Sequence, residues 1–157
     1  MKRYLIAAAV IRDRDRILLV QQQSKNDPSP SWALPGGVVE NGELLHEALK
    51  REVREETGLI IDRIGNLIYS IHHDDTESST QSLAYIFEID QWHGDLHTAD
   101  PDNMVLRLDF LPQNEVIEKL NALPWRYMHE PIVVYLCGEV PQGSVWLYRN
   151  KNLIERL

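Results

Sequence analysis

The residues that decide the fold run Gly37-Val38-Val39-Glu40-Asn41-Gly42-Glu43-Leu44-Leu45-His46-Glu47-Ala48-Leu49-Lys50-Arg51-Glu52-Val53-Arg54-Glu55-Glu56-Thr57-Gly58-Leu59. From Glu43 to Thr57 the segment is rich in good helix formers, and Gly58 stands where a C-terminal cap belongs. On a helical projection Leu45, Ala48 and Leu49 form an apolar face, with Glu43, Glu47, Lys50 and Arg54 opposite it toward solvent. One turn further the apolar face meets Glu52 and Glu56, with Glu55 beside them. Carboxylates at this spacing repel one another, and turning them toward a core adds a desolvation cost of roughly several kcal/mol per unpaired charge. A hard divalent cation relieves both penalties, and magnesium suits the oxygen donors best. The same pattern also arises as a solvated acidic patch, so the helix alone leaves both readings open.

Outward from this helix, Trp32-Ala33-Leu34 leads into Pro35-Gly36-Gly37, which cannot be helical and permits close approach of backbone to a ligand. Tyr4–Ile11 and Ile17–Gln22 flank a charged turn and predict a hairpin, followed by an irregular loop over Ser24–Ser31. Downstream, Ile60–His73 reads as extended and Asp74–Thr80 as a polar loop. Gln81–Asp90 reads as a strand with Leu83, Tyr85, Phe87 and Ile89 on one side. A polar loop over Gln91–Asn103, a strand over Met104–Leu111, helices over Pro112–Leu120 and Tyr127–Leu136, and a strand over Ser144–Arg149 complete the reading. Strands on both sides of one strong helix predict a mixed α/β sandwich in a single domain, residues 1–157.

The net charge of -8 disfavours nonspecific binding to nucleic acid and to anionic membranes. It permits a phosphorylated substrate if a cation mediates the contact. Cys137 is the only cysteine, which excludes an internal disulfide and fits a cytoplasmic location; its place in an apolar run reads as packing. Lys2 and Arg3 precede an apolar run, yet the charged residues that follow fit a buried strand better than a leader peptide.

The spacing Gly37-x5-Glu43-x7-Arg51-Glu52-Val53-x-Glu55-Glu56-x-Gly58-Leu59 matches every defined position of the Nudix box. At average residue frequencies, its fixed positions coincide by chance on the order of 10⁻⁸ times per starting residue. The chain therefore resembles the Nudix hydrolases, and its modest length resembles the MutT-like members. The resemblance implies an α/β/α sandwich with a mixed central sheet. It also implies a metal-dependent hydrolase that cleaves a diphosphate linkage in a nucleoside diphosphate derivative. Glu52, Glu55 and Glu56 become the catalytic metal ligands for Mg2+, with Mn2+ as a substitute, and Gly37 adds its carbonyl. Glu43 and Arg51 become the residues that orient them. Some members draw their general base from a later loop, near which Asp100 and Asp102 lie as weak candidates, since an ordinary solvated loop explains both more simply.

A modified nucleoside triphosphate is the favoured small-molecule substrate, with ADP-ribose or a nucleotide sugar as alternatives. No proline falls near His72–Asp75, which weakens the ADP-ribose assignment. A non-catalytic nucleotide-binding domain is the alternative of another class, disfavoured because all three box glutamates are present. The isomerase branch needs a catalytic cysteine that the late position of Cys137 does not supply. Trp32, Tyr69, Tyr85 and Phe87 are candidates for stacking on a base, though strand aromatics more often serve the core. Arg3, Arg12 and Lys25 are candidate phosphate contacts. Monomer and homodimer both remain open.

Overall fold

Three consecutive alanines, Ala7 to Ala9, occupy the middle of the computed structural model, which describes residues 1–157. The elements in chain order are β1 (Lys2–Val10), β2 (Arg12–Asp13), β3 (Arg16–Gln22), β4 (Ser31–Ala33), β5 (Gly36–Val38) and α1 (Leu45–Thr57). They continue with β6 (Ile60–Asp75), β7 (Thr80–His93), β8 (Val105–Pro112), α2 (Gln113–Asn121), α3 (Arg126–Leu136), β9 (Ser144–Arg149) and β10 (Asn152–Arg156). A six-stranded sheet has the order β10-β9-β6-β7-β1-β5, and a smaller sheet is built on β3, which pairs with β2, β4 and β8. The larger sheet is mixed: β1–β7 and β6–β9 are parallel, the other pairs antiparallel.

Both faces of the centre are covered, which is why β1 reads as a continuous apolar run. Ala7, Ala9, Ile11 and Leu18 pack with Leu49 and Val53 of α1 on one side. Val10, Ile17 and Leu19 pack with Val116, Leu120 and Ile132 of α2 and α3 on the other. The architecture is the expected α/β/α sandwich. No helix is long and apolar enough to cross a membrane.

The structure corrects several local expectations. The long strands β1 and β3 do not form a hairpin together; only Arg12 and Asp13 fold back on Ile17 and Arg16, with one further bond from the Leu18 N–H to the Ile11 carbonyl at 2.9 Å. Parallel pairing with β7 takes β1 into the other sheet and buries both its faces. The chain changes sheets at Ile11, and the crossing is pinned by Arg12. Its guanidinium donates to Glu88 at 2.9 and 3.1 Å, while the Tyr135 hydroxyl donates to the same carboxylate at 3.1 Å. Arg12 is therefore committed to the scaffold and not to a phosphate.

Glu43 lies before the helix, whose first turn is closed when the Leu44 N–H donates to Glu47 Oε2 at 2.7 Å. β7 buries residues on both faces, Ile86 on one and Ile89 on the other, and leaves Leu83 exposed. The β6–β7 ladder also runs further than expected, from Ile60 opposite His93 to Asp75 opposite Thr80. Cys137 is exposed at the end of α3 instead of packed.

The Arg12–Glu88 pair is mostly shielded, with side-chain exposures of 36% and 17%, whereas Arg63–Asp90 is open at 66% and 41%. Glu88→Ala is expected to lower stability by about 1–3 kcal/mol in chemical denaturation, because it strands a half-buried guanidinium. Asp90→Ala is expected to cost under about 0.5 kcal/mol, as an exposed pair should.

Candidate active site

The C-terminal half of α1 lies over β5, and this packing gathers the charged residues singled out from the sequence. Arg51 is at the centre. Its guanidinium donates to both oxygens of Glu43, at 2.7 and 2.9 Å, and to Glu52 Oε1 at 2.8 Å. Further bonds reach Glu55 Oε2 at 3.3 Å and the Val38 carbonyl at 3.1 Å. This bonding holds the Glu43 carboxyl down at about 2, and Glu43 in turn raises the Arg51 pKa. Glu43 thus faces Arg51 and not open solvent.

Glu56 is different. It is only 8% exposed, and its Oε1 accepts the Gly36 N–H at 2.7 Å. Burial pushes its carboxyl from an ordinary 4.5 up to about 8; the Gly36 bond opposes that shift, while the charges of Glu52, Asp100 and Glu55 add to it. Glu52 is raised by the same desolvation, partly offset by Arg51. Gly37 faces the Glu52 carboxyl so closely that an added Cβ would lie 2.5 Å from its carbon. Glu52, Glu55 and Glu56 each meet the protein through one oxygen, leaving Glu52 Oε2, Glu55 Oε1 and Glu56 Oε2 without a partner. These oxygens do not share one point, and no three His, Cys, Asp or Glu side chains stand at ligand spacing.

The loop after β7 folds onto the end of α1, where the Ala99 N–H donates to the Glu55 carbonyl and the His97 N–H to the Thr57 carbonyl, both at 2.9 Å. This brings the Asp100 charge to bear on Glu56. The Asp100 carboxylate also accepts the Met104 N–H at 2.7 Å and the Val105 N–H at 3.2 Å, so it shapes its own loop. Asp102 is exposed at the surface of the same loop.

Beside Gly36 and Gly37 a cavity of about 230 Å³ opens between the larger sheet and the α2–α3 pair. Tyr69 lines it, whereas Phe87 packs on the α1 side. Trp32 lies instead near two cations, 5.0 Å from Lys119 Nζ and 5.6 Å from the Arg107 guanidinium. The cavity wall also includes Tyr127, which had no periodic or motif signal to single it out.

The sequence model of the NUDIX domain matches residues 1–134. The ADP-ribose pyrophosphatase of Methanocaldococcus jannaschii is 36% identical over 92 residues, 58% of this chain and 53% of that protein. The 8-oxo-dGDP phosphatase NUDT18 of Mus musculus is 28% identical over 76% of this chain and 35% of its own length. The chain thus spans about half of the first protein and about a third of the second. The CTP pyrophosphohydrolase of Escherichia coli is 31% identical over 67% of this chain and 76% of its own length. Among solved structures, a NUDIX hydrolase from Nitrosomonas europaea superposes with a TM-score of 0.73 at 25% identity, covering 90% of this chain and 93% of that one.

The raised Glu56 carboxyl makes the metal-free fold sensitive to pH. Folded Glu56 keeps its proton where the unfolded chain has lost it, so stability is full below 4.5 and declines as pH rises toward about 8. In chelator, Glu56→Gln is expected to match the parent near pH 5 and to exceed it by roughly 2–4 kcal/mol near pH 9, read from urea unfolding.

Proposed function

The chain belongs to the Nudix family, and from that premise we propose that it hydrolyses a phosphoanhydride bond in a nucleoside diphosphate derivative, using magnesium held by Glu52, Glu55 and Glu56. The observation that carries this reading is the buried Glu56 carboxyl, which has one N–H donor and no cation of its own while the charges of Glu52, Glu55 and Asp100 bear on it. A structural protein gains nothing from such an arrangement, since a carboxyl buried among like charges must hold a proton and loses stability as the pH rises.

The donor chemistry suits a hard cation, around which the three side chains would have to draw together, since they do not stand at ligand spacing in this structure. The donors are carboxylate oxygens, three of them without a protein partner, and Gly37 keeps the space beside Glu52 free of a side chain. Gly37 stands opposite Ala7 in the β1–β5 ladder, and its carbonyl, which has two lone pairs, is the further donor assigned to the cation. A bound divalent cation supplies charge neutralisation at the phosphate oxygens and a lower pKa for the attacking water. The chain's own residues do the rest. Arg51 orients Glu52 and Glu55 by one oxygen each, and the bond from Gly36 orients Glu56. Asp100, held near Glu56 by its loop, is the better candidate for accepting a proton from water, and Asp102 the weaker one. The relatives from Methanocaldococcus jannaschii, Mus musculus and Escherichia coli are an ADP-ribose pyrophosphatase, an 8-oxo-dGDP phosphatase and a CTP pyrophosphohydrolase, which supports the substrate class.

Two tests follow from these assignments. Hydrolysis of a nucleotide panel is expected to vanish in chelator and return with Mg2+ or Mn2+, and Glu52→Gln, Glu55→Gln and Glu56→Gln are each expected to lower kcat/KM about 100-fold or more while circular dichroism stays unchanged. Near-parental turnover in all three variants would overturn the site. For the loop, Asp100→Asn is expected to lower kcat by about tenfold or more and Asp102→Asn to leave it within about twofold; equal effects would remove the distinction.

A further inference from the structure

The first turn of α3 is weakly held by its own backbone. Trp125 at the N-cap makes no side-chain cap bond, and the turn holds no acidic residue. Arg126 instead puts a positive charge at the end where the helix dipole disfavours one. Pro131 has no N–H, so the carbonyl of Tyr127, four residues earlier, lacks the helical bond it would otherwise accept. Yet Tyr127 and Met128 of this turn form part of the wall of the cavity beside Gly36 and Gly37.

Side chains supply what the backbone lacks. His73, only 8% exposed, stacks on Tyr127 with ring centroids 4.1 Å apart and an interplanar angle of 29°. His73 is not in the cavity wall; strand register sets it between Ser82, which is, and Tyr148 of β9. Its Nε2–H donates to the Asn150 carbonyl at 2.8 Å. Asn150 is fixed in turn: its N–H donates to the Asp74 carbonyl at 2.8 Å, and its Oδ1 accepts the Thr76 N–H at 2.9 Å and hydroxyl at 3.0 Å. Tyr148 meets Tyr127 edge-on at 6.2 Å, and its hydroxyl donates to Glu130, which also pairs with Arg126.

We propose that His73 is a positioning residue: acting through Tyr127, it holds the first turn of α3 against the cavity and so sets how tightly substrate binds, without entering the chemistry. The proposal rests on the hydrolase reading, in which the organic end of the substrate occupies the space beside the acidic cluster. A wall that drifts among several positions lowers apparent affinity by the fraction of time it is out of place, and a ring stacked on an anchored imidazole removes that loss. The carboxylates belong to α1 on the opposite face of the sheet. The position of the turn therefore bears on binding and leaves the hydrolytic step alone. The stack needs an aromatic ring at position 73, and the Asn150 bond fixes where that ring stands.

The test separates binding from turnover. Equilibrium dialysis of the full chain with AMP, GMP, CMP and UMP reads binding, and kinetics on the corresponding triphosphates with Mg2+ reads the reaction. His73→Ala is expected to weaken binding and raise KM about five- to tenfold, with kcat within about twofold. His73→Phe, which keeps the ring, is expected to recover most of that loss, whereas His73→Gln, which keeps only an amide for Asn150, is expected to behave like His73→Ala and replaces it should the alanine variant not fold. In a Tyr127→Ala background, His73→Ala is expected to add nothing further. Unchanged KM in the folded variants, a matching fall in kcat, failure of His73→Phe to rescue, or additive losses with Tyr127→Ala overturns the assignment. A parent that hydrolyses nothing, yet binds a monophosphate more weakly after His73→Ala, sinks the hydrolase reading and leaves this one standing. Hydrolysis with a KM indifferent to His73 does the reverse, and a parent that neither binds nor hydrolyses any of these nucleotides overturns both.

Discussion

A single guanidinium, that of Arg51, bonds to three carboxylates and a backbone carbonyl, and those bonds tie a strand, a loop and a helix to one another. The bidentate contact with Glu43 folds the segment after β5 back over α1, and the bond to the Val38 carbonyl fixes the end of that strand. The remaining N–H groups share out the charge of Glu52 and Glu55. A planar fork with five donors can do this where an ammonium could not. Without it the acidic turn of α1 would repel itself from the sheet. With it, the Glu56 carboxyl still lies among the charges of Glu52, Glu55 and Asp100.

The second constraint is steric and lies in β1. Alternate alanines let α1 approach the sheet closely over Ala7 and Ala9, which brings Glu56 within reach of the Gly36 N–H. On the other face, Ala8 forms the low floor of the cavity under α2 and α3. The Gly36–Gly37 pair follows from the same crowding. A Cβ on Gly36 would lie 2.3 Å from the Ala7 carbonyl oxygen, and one on Gly37 would meet the Glu52 carboxyl. Charge cluster and cavity are thus two sides of one thin strand region, and the two glycines are where they touch.

How much of this could be read from residue order depended on range. The helix, its cap at Gly58 and the grouping of Glu52, Glu55 and Glu56 were legible because helical periodicity is local and the motif spacing falls largely within it. Tyr69 was legible only as an aromatic on a strand, since nothing in order alone tells a filled core from a vacant slot. The hairpin of β1 with β3 was the natural local expectation, and it failed because β1 finds a parallel partner in β7. Asp100 and Asp102 were equivalent in sequence. The bonds from His97 and Ala99 to the end of α1 separate them.

The sequence by itself determined the family resemblance and the acidic helix turn, because each depends on residues close together along the chain. Tertiary structure alone decided that Arg12 serves Glu88, that Glu56 is sealed under Gly36, and that Tyr69 and Tyr127 face a common cavity. Arg12 and Glu88 are separated by 76 positions. Strand pairing over such distances is set by burying both faces of a sheet at once, a condition on the whole chain that no short stretch contains.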